Sequence, residues 1–216
     1  MHKRPATRPS RRTNQQHAVT TPAQRAELAA CVVCGAGASL NNVNPFDASL
    51  PVVAISTAIR TVREPNVWVL VDKLRKEHGP EGRAAMMDRR VLKVMPEFQP
   101  IEKFATNVER VPTHLAAKLD RTRKLFDGQL PLLRSYHSSI LFGIQWLVAH
   151  GCRDLVFCGI DFTGSYSYGP KHGGRATLAE THGHFNRYIR TLAAAGVKAR
   201  QWRCGTSIHK LMPSYE

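Results

Sequence analysis

Cys31-Val-Val-Cys-Gly-Ala-Gly-Ala-Ser-Leu40 decides how the rest of the chain is read. A short, continuous apolar run breaks into Gly35-Ala36-Gly37, then small residues, then Ser39. An unbroken apolar run of this length is what a strand buried on both faces of a parallel sheet looks like, and the glycines end it in a tight turn. Glycine has no Cβ to hold a ligand off, so the amides of such a turn can form a nest for an anion. The same residues also suit a plain glycine turn leaving a core strand. No third glycine follows at the spacing of the full dinucleotide fingerprint.

Working outward, Pro51-Val-Val-Ala-Ile-Ser56 and Asn66-Val-Trp-Val-Leu-Val-Asp72 repeat the pattern. Each is an apolar run that stops at a small or acidic polar residue. Val91-Leu-Lys-Val-Met95 reads as a further short strand, and residues 73–90 as a basic helical region. In Ser138-Ser-Ile-Leu-Phe-Gly-Ile-Gln-Trp-Leu-Val-Ala-His150, apolar residues recur at helical spacing behind a serine cap, so a mostly buried helix is expected. Asp154-Leu-Val-Phe-Cys-Gly-Ile-Asp161 is the next strand, again stopping at a carboxylate. A tyrosine-bearing loop of small residues, Thr163 to Pro170, follows it. The spacing then predicts a helix from Thr181 to about Ala195, a last strand over Val197–Trp202, a polar turn Cys204-Gly-Thr-Ser207 and a final helical turn over Ile208–Leu211. Residues 106–133 read as a mixture of loop and helix. Strands alternating with helices, each strand ending in a polar turn, predict an α/β fold. The sheet should be Rossmann-like and mostly parallel, with its ligand site at the carboxyl edge of the strands.

The 216 residues suffice for one such domain and a tail, and the formal net charge is +15. Residues 1–25 hold Lys3, Arg4, Arg8, Arg11, Arg12 and Arg25 and no acid, which accounts for six of those charges. That segment is too poor in large apolar residues to offset its ordering entropy, so a disordered basic arm is expected before a domain over 26–216. The remaining excess still favours a polyanionic partner: nucleic acid, anionic lipid or a phosphorylated substrate. The Lys73–Lys76 and Arg121–Lys124 clusters read either as a solvated face or as a rim that receives it. No apolar run is long enough to span a bilayer, and no signal segment opens the chain. The five cysteines, mostly in apolar stretches, are expected to be reduced thiols of a cytoplasmic protein.

Chemistry is constrained by what the motifs omit. There is no phosphate-binding P-loop and no nucleophile elbow. Cys31 and Cys34 form one C-x-x-C without a second, which argues against structural zinc, and a metal held by His172, His182 and His184 is a minor alternative. What remains is a set of polar turns at strand ends that could bind a nucleotide through amides and hydroxyls. His182 and His184 are the candidate general bases.

Gly35-Ala-Gly-Ala-Ser-Leu40 resembles the G-N-G-P-S-L turn of the bacterial lipooligosaccharide sialyltransferases, of the Maf flagellin glycosyltransferases and of 6-hydroxymethylpterin pyrophosphokinase-like proteins. Ser138-Ser139 with the helix behind it, and Arg153-Asp-Leu-Val-Phe-Cys-Gly-Ile-Asp-Phe162, are similar to that group's T-S-G helix and its G-I-D-F strand end. Val197 to Ser207 resembles its last strand and C-P-N-S turn. In the group's pattern, asparagine stands where Ser56 ends the second strand here.

The resemblance implies an inverting, metal-independent transferase that uses a CMP-sugar or another nucleotide sugar and needs no cofactor, here as a short, phage-encoded member working in the bacterial cytoplasm. Gly35, Ala36, Gly37, Ser39, Ser56, Asp72, Ser138, Ser139, Asp161, Thr163, Gly205, Thr206 and Ser207 would hold the nucleotide. Tyr166 or Tyr168 would steady the departing phosphate, and His182 or His184 would deprotonate the acceptor hydroxyl. Modified DNA or a glycan is the expected acceptor. Two other readings stand beside it. One is a nucleic-acid-binding protein that reuses the fold without catalysis. The other is a pterin-type pyrophosphokinase with Mg²⁺ on Asp72 and Asp161.

Overall fold

A computed structural model describes residues 28–111, 113–114, 133–134, 139–161, 165–167, 169–170, 175–202 and 214–215. The arm, the Arg121–Lys124 cluster and the turn at 204–207 lie outside them, as does the helical turn expected at 208–211.

In chain order the strands are β1 (Ala30–Cys34), β2 (Val52–Ile55), β3 (Val67–Val69), β4 (Leu92–Pro96), β5 (Val108–Val111), β6 (Thr113–His114), β7 (Leu133–Arg134), β8 (Asp154–Cys158), β9 (Ser165–Tyr166), β10 (Gly169–Pro170), β11 (Lys198–Trp202) and β12 (Ser214–Tyr215). The α-helices are α1 (Gly79–Met87), α2 (Ser139–Ala149) and α3 (Arg175–Ala194).

Among the described residues, eight strands form one sheet in the order β12-β11-β8-β1-β2-β3-β4-β5, with every neighbouring pair parallel. Two minor pairs stand apart, β6 with β7 and the antiparallel hairpin β9–β10. From β1 the chain builds outward through β2, β3, β4 and β5, then returns to lay β8 on the other flank of β1. The β1/β8 boundary is therefore the point where strand order reverses, and the crevice of an open α/β sheet opens at such a point.

The alternation of side chains across the pleat sorts the core into two layers. Cys31, Val33, Val53, Ile55, Val67, Val69, Leu155 and Phe157 face α2 and α3. Val32, Cys34, Ala54, Trp68, Val156 and Cys158 face α1 and the 3-10 turns after β1, β2 and β3. Helix α2 is buried at every position from Ile140 to Val148, as an all-round apolar helix must be. A Cβ on its Gly143 would press on Ile55 and Val69, which seats the first turn of α2 over the carboxyl ends of β2 and β3. Helix α3 buries Phe185, Tyr188, Ile189 and Leu192, spaced as one helical face, and Phe185 meets Phe157 edge-on at 5.6 Å.

Several elements differ from their sequence-based bounds. The third strand stops at Val69, so Asp72 lies three residues beyond it in an exposed loop. Helix α3 begins at Arg175 rather than Thr181, since Ala176, Leu178, Ala179 and Glu180 are good helix formers and Gly183 interrupts nothing. Strand β5 lies within residues expected to be loop and helix. It is an edge strand with three of its four residues only half-buried, so Val108-Glu-Arg-Val111 lacks the apolar continuity that betrays an inner strand. The edge strand β12 is a further addition.

Candidate functional site

The turn after β1 and the turn after β8 are built against each other. Gly35 N–H donates to Cys158 O at 2.9 Å, and Gly37 N–H to Gly159 O at 2.6 Å. A Cβ at Gly35 would come within 3.0 Å of Gly159 O, and one at Gly37 within 3.0 Å of both Gly159 O and the Asp161 carboxylate. Gly159 has a φ of +64°, a conformation open to glycine at no steric cost. Here the glycines are required first by the close approach of two backbones.

Asp161 closes the contact. Its carboxylate accepts the Ser39 N–H at 2.6 Å through Oδ2 and the Ser39 hydroxyl through Oδ1. Both residues are buried, Ser39 to 3% exposure and Asp161 to 4%. Thus the amides of Gly35, Gly37 and Ser39 are donated within the chain, and the anion in the concavity of this turn is the protein's own carboxylate. A buried carboxylate is tolerated when it is answered by such donors.

A third element is fastened on top. Ser167, at the bend of the β9–β10 hairpin, uses each of its polar groups on a different partner. Its N–H donates to Ala36 O at 2.7 Å, its carbonyl accepts Asn41 Nδ2 at 2.9 Å, and its hydroxyl shares a hydrogen bond with Thr61 Oγ1 at 2.6 Å. Tyr166 therefore belongs to a hairpin docked on the β1 turn. Asn41, Thr61 and Ser167 were not singled out from sequence. Their only signal was that small polar residues cluster in the segments after β1, β2 and β8.

Ser56 and Ser139, among the described candidates, lie toward the same carboxyl edge. Ser56, first residue after β2, holds a left-handed φ of +50° while its carbonyl accepts the Trp68 indole N–H at 2.8 Å. Asparagine tolerates that conformation better than serine. Ser139 opens α2, one turn before Gly143 at the ends of β2 and β3. His182 and His184 lie about two turns into α3 rather than at its start. They precede Phe185, whose packing on Phe157 sets this stretch of helix beside the carboxyl end of β8. Asp72 is exposed and Asp161 buried, so the two carboxylates sit in different surroundings. Ser138, Thr163, Tyr168, His172, Gly205, Thr206 and Ser207 lie outside the described residues.

The C-x-x-C motif resolves simply. Three residues along a strand turn a side chain to the opposite face, so Cys31 faces Cys152 at 3.6 Å between sulfurs and Cys34 faces Cys158 at 3.4 Å across the other layer. These four cysteines are free and buried. Among the described residues, no group of three or more His, Cys, Asp or Glu is arranged to hold a metal ion, and no helix is long and apolar enough to cross a membrane.

No family model matches the chain, and no curated protein matches it. Among solved structures, it is similar to a Maf glycosyltransferase from Magnetospirillum magneticum AMB-1, with a TM-score of 0.56 and 14% identity over 87% of this chain. That match covers 34% of the other protein, so the chain spans about a third of that protein's length. At this identity the likeness establishes a shared glycosyltransferase-like α/β fold.

Proposed function

We propose that the protein is a nucleotide-sugar-dependent glycosyltransferase whose donor binds in the crevice between the carboxyl ends of β1 and β8. One observation carries the reading: three polar elements, the Gly35–Ser39 turn, the Gly159–Asp161 turn and the β9–β10 hairpin, converge where the strand order of an all-parallel sheet reverses. The Maf-like fold supports the class of donor.

In this reading the Asp161–Ser39 pair holds the β1 turn in shape rather than gripping the ligand through every amide. The turn's outer groups, with Ser56, Ser139 and the 204–207 turn, then meet the nucleotide. Tyr166 or Tyr168 steadies the departing phosphate. His182 or His184 accepts the proton of the acceptor hydroxyl as that oxygen attacks the anomeric carbon from the face opposite the nucleotide, so configuration inverts and no metal takes part. The excess positive charge suits a polyanionic acceptor, such as modified DNA or an acidic glycan.

A thermal-shift screen with CMP, UDP and GDP and their sugar conjugates tests the donor site. A ligand at 100 times its dissociation constant adds about 2.7 kcal/mol. Stabilisation by one nucleotide family is expected, and none at millimolar concentration would overturn the reading. With that donor, His182→Ala combined with His184→Ala should retain binding and lose transfer. Unchanged turnover would remove the histidines from the mechanism.

A further inference from the structure

Positive charge is unevenly spread over the fold. Residues 28–111 carry eleven cations against nine acids, and several are matched in place, Arg75 with Glu77 and Arg90 with Glu64 and Asp88. Residues 183–202, from Gly183 in α3 to the end of β11, carry Arg187, Arg190, Lys198 and Arg200 and no acid. Arg200 is answered by Asp154 of the neighbouring strand at 2.5 Å. Arg187, Arg190 and Lys198 are exposed. Val197 N–H donates to Leu192 O at 2.9 Å, which folds the start of β11 back against the last turns of α3. Lys198 N–H donates in turn to the carbonyl of Arg153 at 2.8 Å, so a further exposed arginine stands at the same corner. The Arg153 guanidinium is fixed by carbonyls, Val148 O at 3.0 Å and Cys152 O at 2.9 Å, rather than by a carboxylate. Along α3 the nearest acid, Glu180, lies two turns before Arg187.

We propose that this corner, where α3 ends and β8 and β11 begin, is a docking surface for the phosphate backbone of a nucleic-acid duplex. This goes beyond the transferase reading and does not depend on it, because Arg153 and Lys198 stand at the amino edge of the sheet, opposite the crevice. Helical period sets the arginines of α3. Phe185, Tyr188, Ile189 and Leu192 bury one side of the helix, and Arg187 and Arg190, one turn apart, fall on the other. Three of the four cations are arginines, whose planar fork matches phosphate oxygens.

The side chains around the cations select the occupant. A membrane surface would call for large apolar groups beside the charges. Those of α3 are committed to the core, and the exposed residues between Arg190 and Lys198 are Ala193, Ala194, Ala195 and Gly196. The exposed large apolar residues Phe46, Met87 and Phe98 belong to the charge-balanced half. A single strand would call for exposed aromatic rings on which bases stack, and among the described residues this corner presents none. Charge on a rigid surface remains, and it meets a duplex through its phosphates without reading sequence.

The test measures binding of the full-length protein to a fluorescein-labelled duplex of arbitrary sequence by anisotropy over a series of sodium chloride concentrations. One variant combines Arg187→Gln, Arg190→Gln and Lys198→Gln. A control removes the same three charges from the balanced half, as Arg63→Gln, Lys73→Gln and Lys76→Gln, all at exposed positions. Both keep the basic arm and the same net charge. The first should bind roughly tenfold or more weakly, with a salt slope shallower by about 2–3, and the control should stay close to wild type. Should the first variant melt early, the wild-type protein decides: acetylation mapped by mass spectrometry should find Lys198 protected by the duplex while Lys73 and Lys76 stay reactive. Equal losses in the two variants, equal protection of the three lysines, or no duplex binding at low salt would overturn the proposal. So would a first variant that loses binding to phosphatidylserine vesicles but keeps the duplex.

Discussion

Two buried charges at opposite ends of the sheet are answered in opposite ways. Asp161, at the carboxyl edge, is held by an amide and a hydroxyl of Ser39. Lys93 on β4, fully buried, is held by two carbonyls and a hydroxyl: its ammonium donates to Asp88 O, to Val91 O at 2.9 Å, and to Thr106 Oγ1 at 3.4 Å. Asp88 caps the C-terminus of α1, where the helix dipole presents its negative end. The fold is thus polarised. Asp161 lies where strands end and helical turns begin, and its partners there are an N–H and an O–H donor. Lys93 lies where a helix ends and a strand begins, and its partners are acceptors.

Removing the anion should have the largest effect. Asp161→Ala leaves the Ser39 amide and hydroxyl buried without an acceptor and should cost about 3 kcal/mol in urea unfolding. Asp161→Asn, which keeps one oxygen, should cost less. Equal losses would mean that charge, not hydrogen bonding, joins the two turns.

The cation responds to pH instead. Burial lowers the Lys93 pKa from its usual 10.5 to about 8. Between those values the unfolded chain binds the proton that the folded chain has released, so stability rises with pH. From pH 8 to 9.5 this one group should add about 1.5 kcal/mol. Urea midpoints across that window should show the rise in wild type, and Lys93→Met should lack that part of it.

Backbone strain gives a smaller signal. Ser56→Val puts a β-branched residue at a φ of +50° and should cost about 1–2 kcal/mol, while Ser56→Asn should cost nothing. The smallest effect belongs to the hairpin. Thr61→Val and Ser167→Ala should each lose about 1 kcal/mol, and a double-mutant cycle should return a coupling of about 0.5–1 kcal/mol from their shared hydrogen bond. Additive losses would mean that the two hydroxyls do not meet in solution.

Much of this architecture was legible beforehand for an elementary reason. Inner strands of a parallel sheet are apolar on both faces, so Cys31–Cys34, Val52–Ile55 and Asp154–Cys158 stand out as unbroken runs, and α2 declares itself by its helical period. Strand β5 did not stand out, because an edge strand needs no such run. The histidines of α3 fell within a helix longer than expected, since a glycine in the middle of good helix formers costs only about 1 kcal/mol.

By itself, then, the order of residues determined a parallel α/β domain whose polar turns share one edge. Local pattern suffices for that, because burial on two faces and the 3.6-residue period both leave marks along the chain. What the glycines and cysteines do was decided only in three dimensions. Asp161 lies 122 positions from Ser39, Cys152 lies 121 from Cys31 and Cys158 lies 124 from Cys34. Nothing in the Cys31–Leu40 stretch announces that its turn already holds a carboxylate, or that its two cysteines face opposite layers toward different partners. Such pairings arise when the chain returns to place β8 beside β1, and contacts made by that return are written in neither segment alone.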